Sequence, residues 1–254
     1  MSQSRAVEEF LGIGFHVDTL QGAASSIMEE NRTARFHYVA TPNVQHVVKI
    51  LEDPTRIAPL YKSAWRVYCD SRVLSRLACL RGRSLPVVTG SDLTAEVLQR
   101  ANVAGLKIAV IGPSVDDCAK LRVRYPRLSI TSHTPPMGFI HQEKEIAACI
   151  DFVKRERAPL VFLAIGMPRQ EMLANRLAAD KDTTGIGLCI GASIDFLTGK
   201  QQRAPLWVQM AGFEWLHRLM SDPIRLGSRY LIECPKIIFL ALREFRRSTQ
   251  GSST

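Results

Sequence analysis

The sequence lacks both a long apolar run and a cysteine pattern that would indicate disulfides or a metal. Its longest apolar stretch, residues 237–242, is far shorter than the roughly 20 residues of a membrane-spanning helix. Six cysteines are present, but none forms a Cys-x-x-Cys pair or lies near a histidine cluster, so we expect reduced, buried thiols and no metal site. The first nine residues carry acidic side chains and no apolar core. We therefore expect no signal peptide, and a cytoplasmic protein that contacts a membrane only peripherally.

Acidic residues are fewer than basic residues. The chain has 24 Asp and Glu residues against 33 Lys and Arg residues, which gives a formal net charge of +9. This excess favours an anionic partner, which is phosphate, nucleic acid or an acidic membrane surface. No zinc-finger spacing, aromatic RNA-reading motif or basic-region heptad occurs, so we do not expect nucleic acid as the partner.

Short apolar runs alternate with amphipathic segments along most of the chain. The apolar runs predict buried parallel strands at residues 36–40, 66–69, 107–111, 128–132, 160–165 and 186–190. The amphipathic segments predict helices at residues 44–51, 92–101, 115–124, 143–155 and 168–179. Ser114 and the pair Ser91-Asp92 are candidate N-caps, and Pro168 suits a first helical turn. The alternation predicts an α/β fold in which helices flank a parallel sheet.

The pattern changes after residue 200. Between residues 201 and 254, eight basic residues stand against four acidic ones, and prolines interrupt the helical pattern. We expect an α/β body at residues 1–200 and a basic helical appendage at residues 201–254. Trp207 and Trp215 interleave with the arginines of this appendage, which is typical of a membrane interface or a phosphate-bearing lipid. A solvated charged face is the alternative.

Polar residues follow four of the predicted strands. Thr41 and Asn43 follow the first strand and Asp70 the second, while residues 166–171 and 191–195 follow the last two. Ligands of open α/β sheets bind at the carboxyl ends of the strands, so these residues predict one site. Asp70 or Asn43 could instead only cap the helix that follows it.

Several motifs in this order resemble those of one known family. They are Thr41-x-Asn43, Cys69-Asp70-Ser71, Thr89-Gly-Ser-Asp-Leu93, Gly166-Met-Pro-Arg-Gln-Glu171, Gly191…Asp195-Phe196, Arg203-Ala-Pro205, Glu214-Trp-Leu-His-Arg218 and Pro223-Ile-Arg225…Arg229-Tyr230. Over residues 12–230 the chain resembles the WecG/TagA/CpsF glycosyltransferases. The resemblance implies a Rossmann-like body and a C-terminal appendage that reaches the inner face of the cell membrane.

The resemblance also implies a reaction and its residues. The reaction is an inverting transfer, without metal or other cofactor, from a UDP-sugar to an undecaprenyl-diphosphate-linked sugar. The donor would be UDP-N-acetylmannosamine, its uronic acid or UDP-glucose, and a homo-oligomer is compatible with the sequence. The general base falls on Asp70. Donor contacts fall on Thr41, Asn43, Gln170, Asp195 and Phe139, and acceptor-diphosphate contacts on Arg218, Arg225 and Arg229.

Two positions depart from the pattern of the family. Ser71 follows Asp70 where glycine is usual, and Val87 stands where an arginine often precedes the Thr-Gly-Ser-Asp motif. Another residue such as Arg83 would then have to contact the donor phosphate. Phe139 could be a core residue instead of a base-stacking platform, and Asp92 is expected to cap its helix.

The main alternative is a Rossmann-type nucleotide-binding protein without transferase activity. The turn Ile111-Gly-Pro-Ser114 lacks the Gly-x-Gly-x-x-Gly spacing of nicotinamide dehydrogenases. The intact Asp70 favours an enzyme over a binding protein that has lost catalysis.

Overall fold

A six-stranded parallel sheet forms the centre of the computed structural model, which describes residues 6–30, 35–200, 236, 237 and 239–241. The strands in chain order are β1 (Val7–Phe10), β2 (Ile13–His16), β3 (His37–Ala40), β4 (Arg66–Val67), β5 (Lys107–Ile111), β6 (Ser129–His133), β7 (Leu160–Leu163) and β8 (Ile186–Cys189). The large sheet has the order β4-β3-β8-β7-β5-β6, and all its pairings are parallel. Strands β1 and β2 form a separate antiparallel hairpin.

All six predicted strands are confirmed, although most are shorter than predicted. Every residue of β7 and β8 is buried, as expected for continuous apolar runs with helices on both faces. The strand predicted at residues 66–69 is β4, which ends early at Val67, and Cys69 then forms an isolated bridge with Val87.

Helices and one 3₁₀ turn cover both faces of the sheet. The helices are α1 (Leu20–Glu29), α2 (Val44–Glu52), α3 (Pro54–Lys62), α4 (Arg72–Cys79), α5 (Gly90–Val103), α6 (Val115–Arg124), α7 (Glu143–Glu156), α8 (Arg169–Ala179) and α9 (Ser193–Leu197), and the 3₁₀ turn is Phe139–His141. The five predicted helices are confirmed within two residues at each end. Hairpin β1–β2 and helices α1, α3 and α9 were not predicted, and α4 was considered only as the helix that Asp70 could cap.

The predicted N-caps have mixed outcomes. Ser114 caps α6 as predicted, and its side chain accepts the Asp117 N–H. The cap of α5 is Thr89, whose Oγ1 accepts the Asp92 N–H at 3.1 Å. The prediction that Asp92 caps this helix is therefore wrong, because Asp92 lies in the first turn and accepts a hydrogen bond from Thr89 Oγ1 at 2.6 Å.

The apolar side chains form separate clusters on the two faces of the sheet. Along β5, Ile108 and Val110 pack into the cluster that holds α1, α5 and α6, while Ala109 and Ile111 pack against α7 and α8. This alternation follows from the two-residue period of a strand. A further cluster joins hairpin β1–β2 to α2, α3 and α4.

Part of the predicted appendage packs into that last cluster. Residues 236, 237 and 239–241 are helical, and Ile237 and Ala241 are buried among the side chains of the body. Lys236 Nζ lies 2.9 Å from Glu52 Oε1 on α2. Arg218, Arg225 and Arg229 lie outside the described residues. Within the described ranges, no helix has the length and apolarity needed to cross a membrane.

Candidate active site

A cleft of about 390 Å³ lies at the carboxyl ends of β3, β4, β7 and β8. The loop that follows each of these strands contributes to its wall, as does the start of α5. This arrangement confirms the expected convergence of strand ends. The described residues that line the cleft are Thr41, Asn43, Gln45, His46, Asp70, Gly90, Ser91, Gly166, Met167, Arg169, Gln170, Cys189, Ile190, Gly191, Ala192, Ser193 and Phe196.

Asp70 lies in the cleft between β4 and α4. Its backbone N–H donates to the Pro42 carbonyl at 3.1 Å, which ties the end of β4 to the loop after β3. Ser71 is the N-cap of α4, and its hydroxyl accepts the Leu74 N–H at 3.2 Å. Since Ser71 performs the capping, the Asp70 carboxylate is not the cap of α4. The serine that departs from the family pattern therefore has a structural function of its own.

The start of α5 approaches Thr41 and Asp70 closely. A Cβ atom at Gly90 would lie 2.6 Å from Thr41 Oγ1 and 3.6 Å from Asp70 Oδ2. Only glycine permits this approach without movement of Thr41, because real Cβ contacts are longer than 3 Å. The glycine thus brings the backbone of the α5 N-terminus against the side chains at the ends of β3 and β4.

Three helices begin at the cleft and favour an anionic ligand there. Helices α2, α5 and α8 have 9, 14 and 11 residues, and Asn43, Gly90 and Arg169 at their starts line the cleft. Helix N-termini carry partial positive charge and unpaired N–H groups. Together with the Arg169 guanidinium, they form an environment suited to a diphosphate.

Asn43 and His46 form the N-terminal cap of α2. Asn43 Oδ1 accepts the Gln45 N–H at 3.0 Å, and His46 Nδ1 lies 2.8 Å from the same oxygen. The prediction that Asn43 caps this helix is confirmed. Both side chains also line the cleft, so capping and ligand contact are compatible functions of this pair.

Gln170 is held by the protein on both sides of its amide. Its Oε1 accepts the Gly191 N–H at 2.8 Å, and its Nε2 donates to Glu171 Oε1 at 2.9 Å. Gly191 has φ of +51°, a left-handed conformation in which residues with a Cβ are uncommon. Gln170 is therefore a buried and oriented amide at the wall of the cleft.

Charged groups are sparse among the described residues of the cleft wall. Asp70 carries the one carboxylate there and Arg169 the one guanidinium. Within the described ranges, no group of three or more His, Cys, Asp or Glu side chains is arranged to hold a metal ion. A single carboxylate in a cleft that also contains cationic and dipolar groups can accept a proton from a ligand whose phosphates lie against those groups.

Not every predicted site residue lines this cleft. Phe139 is 3% exposed and packs in the core with Tyr38 and Phe152, as its structural alternative predicts. Asp195 lies on α9 outside the lining residues. Arg83 donates to the Glu9 carbonyl and lies 3.5 Å from Glu8 Oε2 on the hairpin. The arginine that the structure places in the cleft is Arg169, not Arg83.

Sequence reasoning missed several residues of the cleft. His46 and Gly90 come within or beside motifs that were recognised, but their spacing alone carries no chemical signal. Arg169 stands in the Gly166–Glu171 motif, and its position before Gln170 could have indicated a phosphate contact. Phe196 likewise follows the predicted Asp195 and lines the cleft itself.

Comparisons with known proteins agree with the resemblance. The model of the Glycosyl transferase WecG/TagA/CpsF family matches residues 8–251. The chain is also similar to a Bacillus spizizenii protein named N-acetylglucosaminyldiphosphoundecaprenol N-acetyl-beta-D-mannosaminyltransferase, with 22% identity over 236 residues. That alignment covers 91% of this chain and 87% of the relative. Because the family model covers almost the whole length, the chain belongs to the WecG/TagA/CpsF family of glycosyltransferases.

Proposed function

We propose that the protein transfers N-acetylmannosamine from UDP-N-acetylmannosamine to N-acetylglucosamine linked to undecaprenyl diphosphate, with inversion at the anomeric carbon. The observation that carries the proposal is Asp70, the one carboxylate among the described cleft residues, which lines the same cleft as the starts of three helices and Arg169. The name of the Bacillus spizizenii relative supports this choice of sugars. The uronic acid of N-acetylmannosamine and glucose are the other donor sugars to be tested.

Asp70 is proposed to act as the general base. The acceptor hydroxyl loses its proton to the Asp70 carboxylate while its oxygen attacks the anomeric carbon. The bond from that carbon to the diphosphate oxygen breaks, and UDP leaves on the opposite face. A positioned general base typically contributes about a hundred- to ten-thousand-fold to the rate.

The donor is proposed to lie with its diphosphate against the starts of α5 and α8. Negative charge grows on the leaving phosphate oxygen during transfer, so N–H groups and a guanidinium aimed at it stabilise the transition state. Thr41, Asn43 and Gln170 line the cleft where hydroxyl and amide groups would contact the sugar or the ribose. Donor contacts by Asp195 and Phe139 stay predictions.

The acceptor is proposed to reach the site from an anionic membrane surface at the inner face of the cell membrane. Arg218, Arg225 and Arg229 are the predicted contacts to its diphosphate. Near Asp70, residues 71–91 contain four arginines and no acidic residue. Arg72, Arg76 and Leu80 in this stretch are exposed, which supports peripheral contact with a lipid headgroup layer.

A transfer assay tests the function. The purified chain would be incubated with N-acetylglucosamine linked to a short polyprenyl diphosphate and, in parallel, with each of the three UDP-sugars. We expect a disaccharide-lipid product and release of UDP with UDP-N-acetylmannosamine. Tight UDP binding without product from any donor would instead favour the binding protein that lacks transferase activity.

A further inference from the structure

A buried carboxylate lies directly behind the wall of the cleft. Glu171 is 1% exposed and follows Gln170 in the first turn of α8. It does not line the cleft, and the proposed reaction does not use it. Burial raises the pKa of this carboxyl from 4.5 to about 7, so keeping a carboxylate here costs stability.

Glu171 approaches side chains of two helices, α8 and α2, that line the cleft. Its Oε1 accepts a hydrogen bond from Gln170 Nε2 at 2.9 Å, and the same oxygen lies 3.9 Å from His46 Nε2. Its Oε2 is buried and has no hydrogen-bond partner among the described residues. The Tyr61 hydroxyl faces the carboxylate from α3 without a hydrogen bond of ordinary length.

These contacts fix which way the Gln170 amide points. Gln170 Oε1 accepts the Gly191 N–H, and Nε2 donates to Glu171. If the amide were turned over, its NH₂ group would oppose the Gly191 N–H and its oxygen would oppose the carboxylate. Both contacts would be repulsive. The observed orientation leaves the second Nε2 hydrogen for an acceptor atom of a ligand.

We propose that Glu171 is a positioning residue for sugar transfer, which orients the Gln170 amide on one side and faces His46 on the other. It thereby fixes the segment after β7 and the start of α2 relative to each other, at the side of the cleft where the donor is proposed to bind. This inference rests on the proposed function. It adds a residue that acts through Gln170 and does not itself touch the donor.

A purely structural function does not account for a carboxylate at this position. Among the described residues, Glu171 lies within ion-pair distance of His46, and no lysine or arginine compensates its charge. A buried charge without such compensation lowers stability. The other titratable groups that face it are Tyr61, Tyr38 and Cys189. Burial raises the pKa of all three, so they stay neutral while Glu171 titrates.

The test compares Glu171→Gln, Gln170→Ala and the double variant in the transfer assay at pH 8. Glu96→Gln is the matched control, because Glu96 forms a surface ion pair with Arg100 away from the cleft. We expect kcat/KM for the donor to fall at least about tenfold in Glu171→Gln and to stay unchanged in Glu96→Gln. Groups that act as a unit are non-additive, so Glu171→Gln should cause no further loss in the Gln170→Ala background.

A pH profile and a binding measurement complete the test. In the wild type, donor kcat/KM should contain a component that rises as pH increases through about 7, and Glu171→Gln should lack it. An unchanged rate in Glu171→Gln, or a full additional loss in the double variant, would overturn the inference. If the wild type transfers no sugar, the proposed function fails instead. The affinity for UDP-N-acetylmannosamine by calorimetry then decides about Glu171, with weaker binding by Glu171→Gln supporting its positioning function and equal binding refuting it.

Discussion

Replacing Glu171 with glutamine is expected to lower activity but to increase stability relative to the wild type, and this gain should be larger at alkaline pH than at acidic pH. The reason is the free energy of keeping a carboxylate in a core site that is 1% exposed. Glutamine has nearly the same shape, but its amide presents a donor NH₂ as well as an acceptor oxygen, so it no longer imposes one orientation on the Gln170 amide. It also removes the charge, and with it the dependence of this site on pH.

The magnitude follows from the two pKa values. The folded-state pKa of about 7 lies above the ordinary value of 4.5, so folding opposes ionisation of this group. Below pH 4.5 both states hold the proton and there is no cost. Between 4.5 and 7 the unfolded chain loses its proton first, and stability falls as pH rises. Above pH 7 the cost is constant at roughly 3 kcal/mol, so between pH 5 and pH 8 it grows by roughly 2 to 3 kcal/mol.

Urea unfolding of both proteins at pH 5 and pH 8 measures this effect. The free energy of unfolding of the wild type, relative to that of Glu171→Gln, should fall by roughly 2 to 3 kcal/mol between the two pH values. Any fixed difference in packing between the side chains cancels in this comparison. Parallel changes with pH in the two proteins would refute the reasoning, since Glu171 would then not titrate with a raised pKa.

Three further perturbations test other parts of the structure. Gly90→Ala should lower the transfer rate on the order of tenfold to a hundredfold, because its Cβ would displace the Thr41 hydroxyl. The free energy of unfolding should change by less than about 1 kcal/mol. Equal transfer rates in the variant and the wild type would show that Thr41 need not move. Ile237→Ala should cost about 2 to 4 kcal/mol in urea unfolding, since Ile237 is buried in the cluster of α2, α3 and α4, and no loss of stability would show that this helix does not pack on the body. Transfer should persist in EDTA, because helix N-termini and Arg169 supply positive charge to the diphosphate, and loss of activity restored by Mn²⁺ would contradict that.

The sheet could be predicted from sequence because its strands are continuous apolar runs. Other elements have sequences that do not favour their observed structure, and tertiary packing stabilises them instead. Helix α3 contains Pro54 and Pro59, which suggest a break, but Pro54 occupies the first turn where its missing N–H costs nothing. Helix α1 contains one glycine and two serines, and it forms because Ala23, Ala24 and Ile27 are buried against the core.

The cleft was predictable to the extent that it consists of strand ends. Thr41, Asn43, Asp70 and Gln170 stand in the segments that follow four-residue or shorter strands of the sheet, so parallel topology brings these segments together. The contact of His46 with Glu171 joins α2 to α8, which are far apart in the chain, and no local pattern encodes it. The proposed relation between Gln170 and Glu171 likewise depends on the observed orientation of the amide, which spacing cannot give.

The most direct test of the proposed catalytic function of Asp70 is to compare the transfer reaction of Asp70→Asn with that of the wild type. Both proteins would receive UDP-N-acetylmannosamine and the lipid-linked N-acetylglucosamine acceptor, and UDP binding would be measured in parallel. We expect the wild type to form the disaccharide-lipid product, and we expect Asp70→Asn to lose about a hundred- to ten-thousand-fold in rate with nearly unchanged UDP affinity. A near-normal rate in Asp70→Asn would contradict the central claim and place the general base elsewhere.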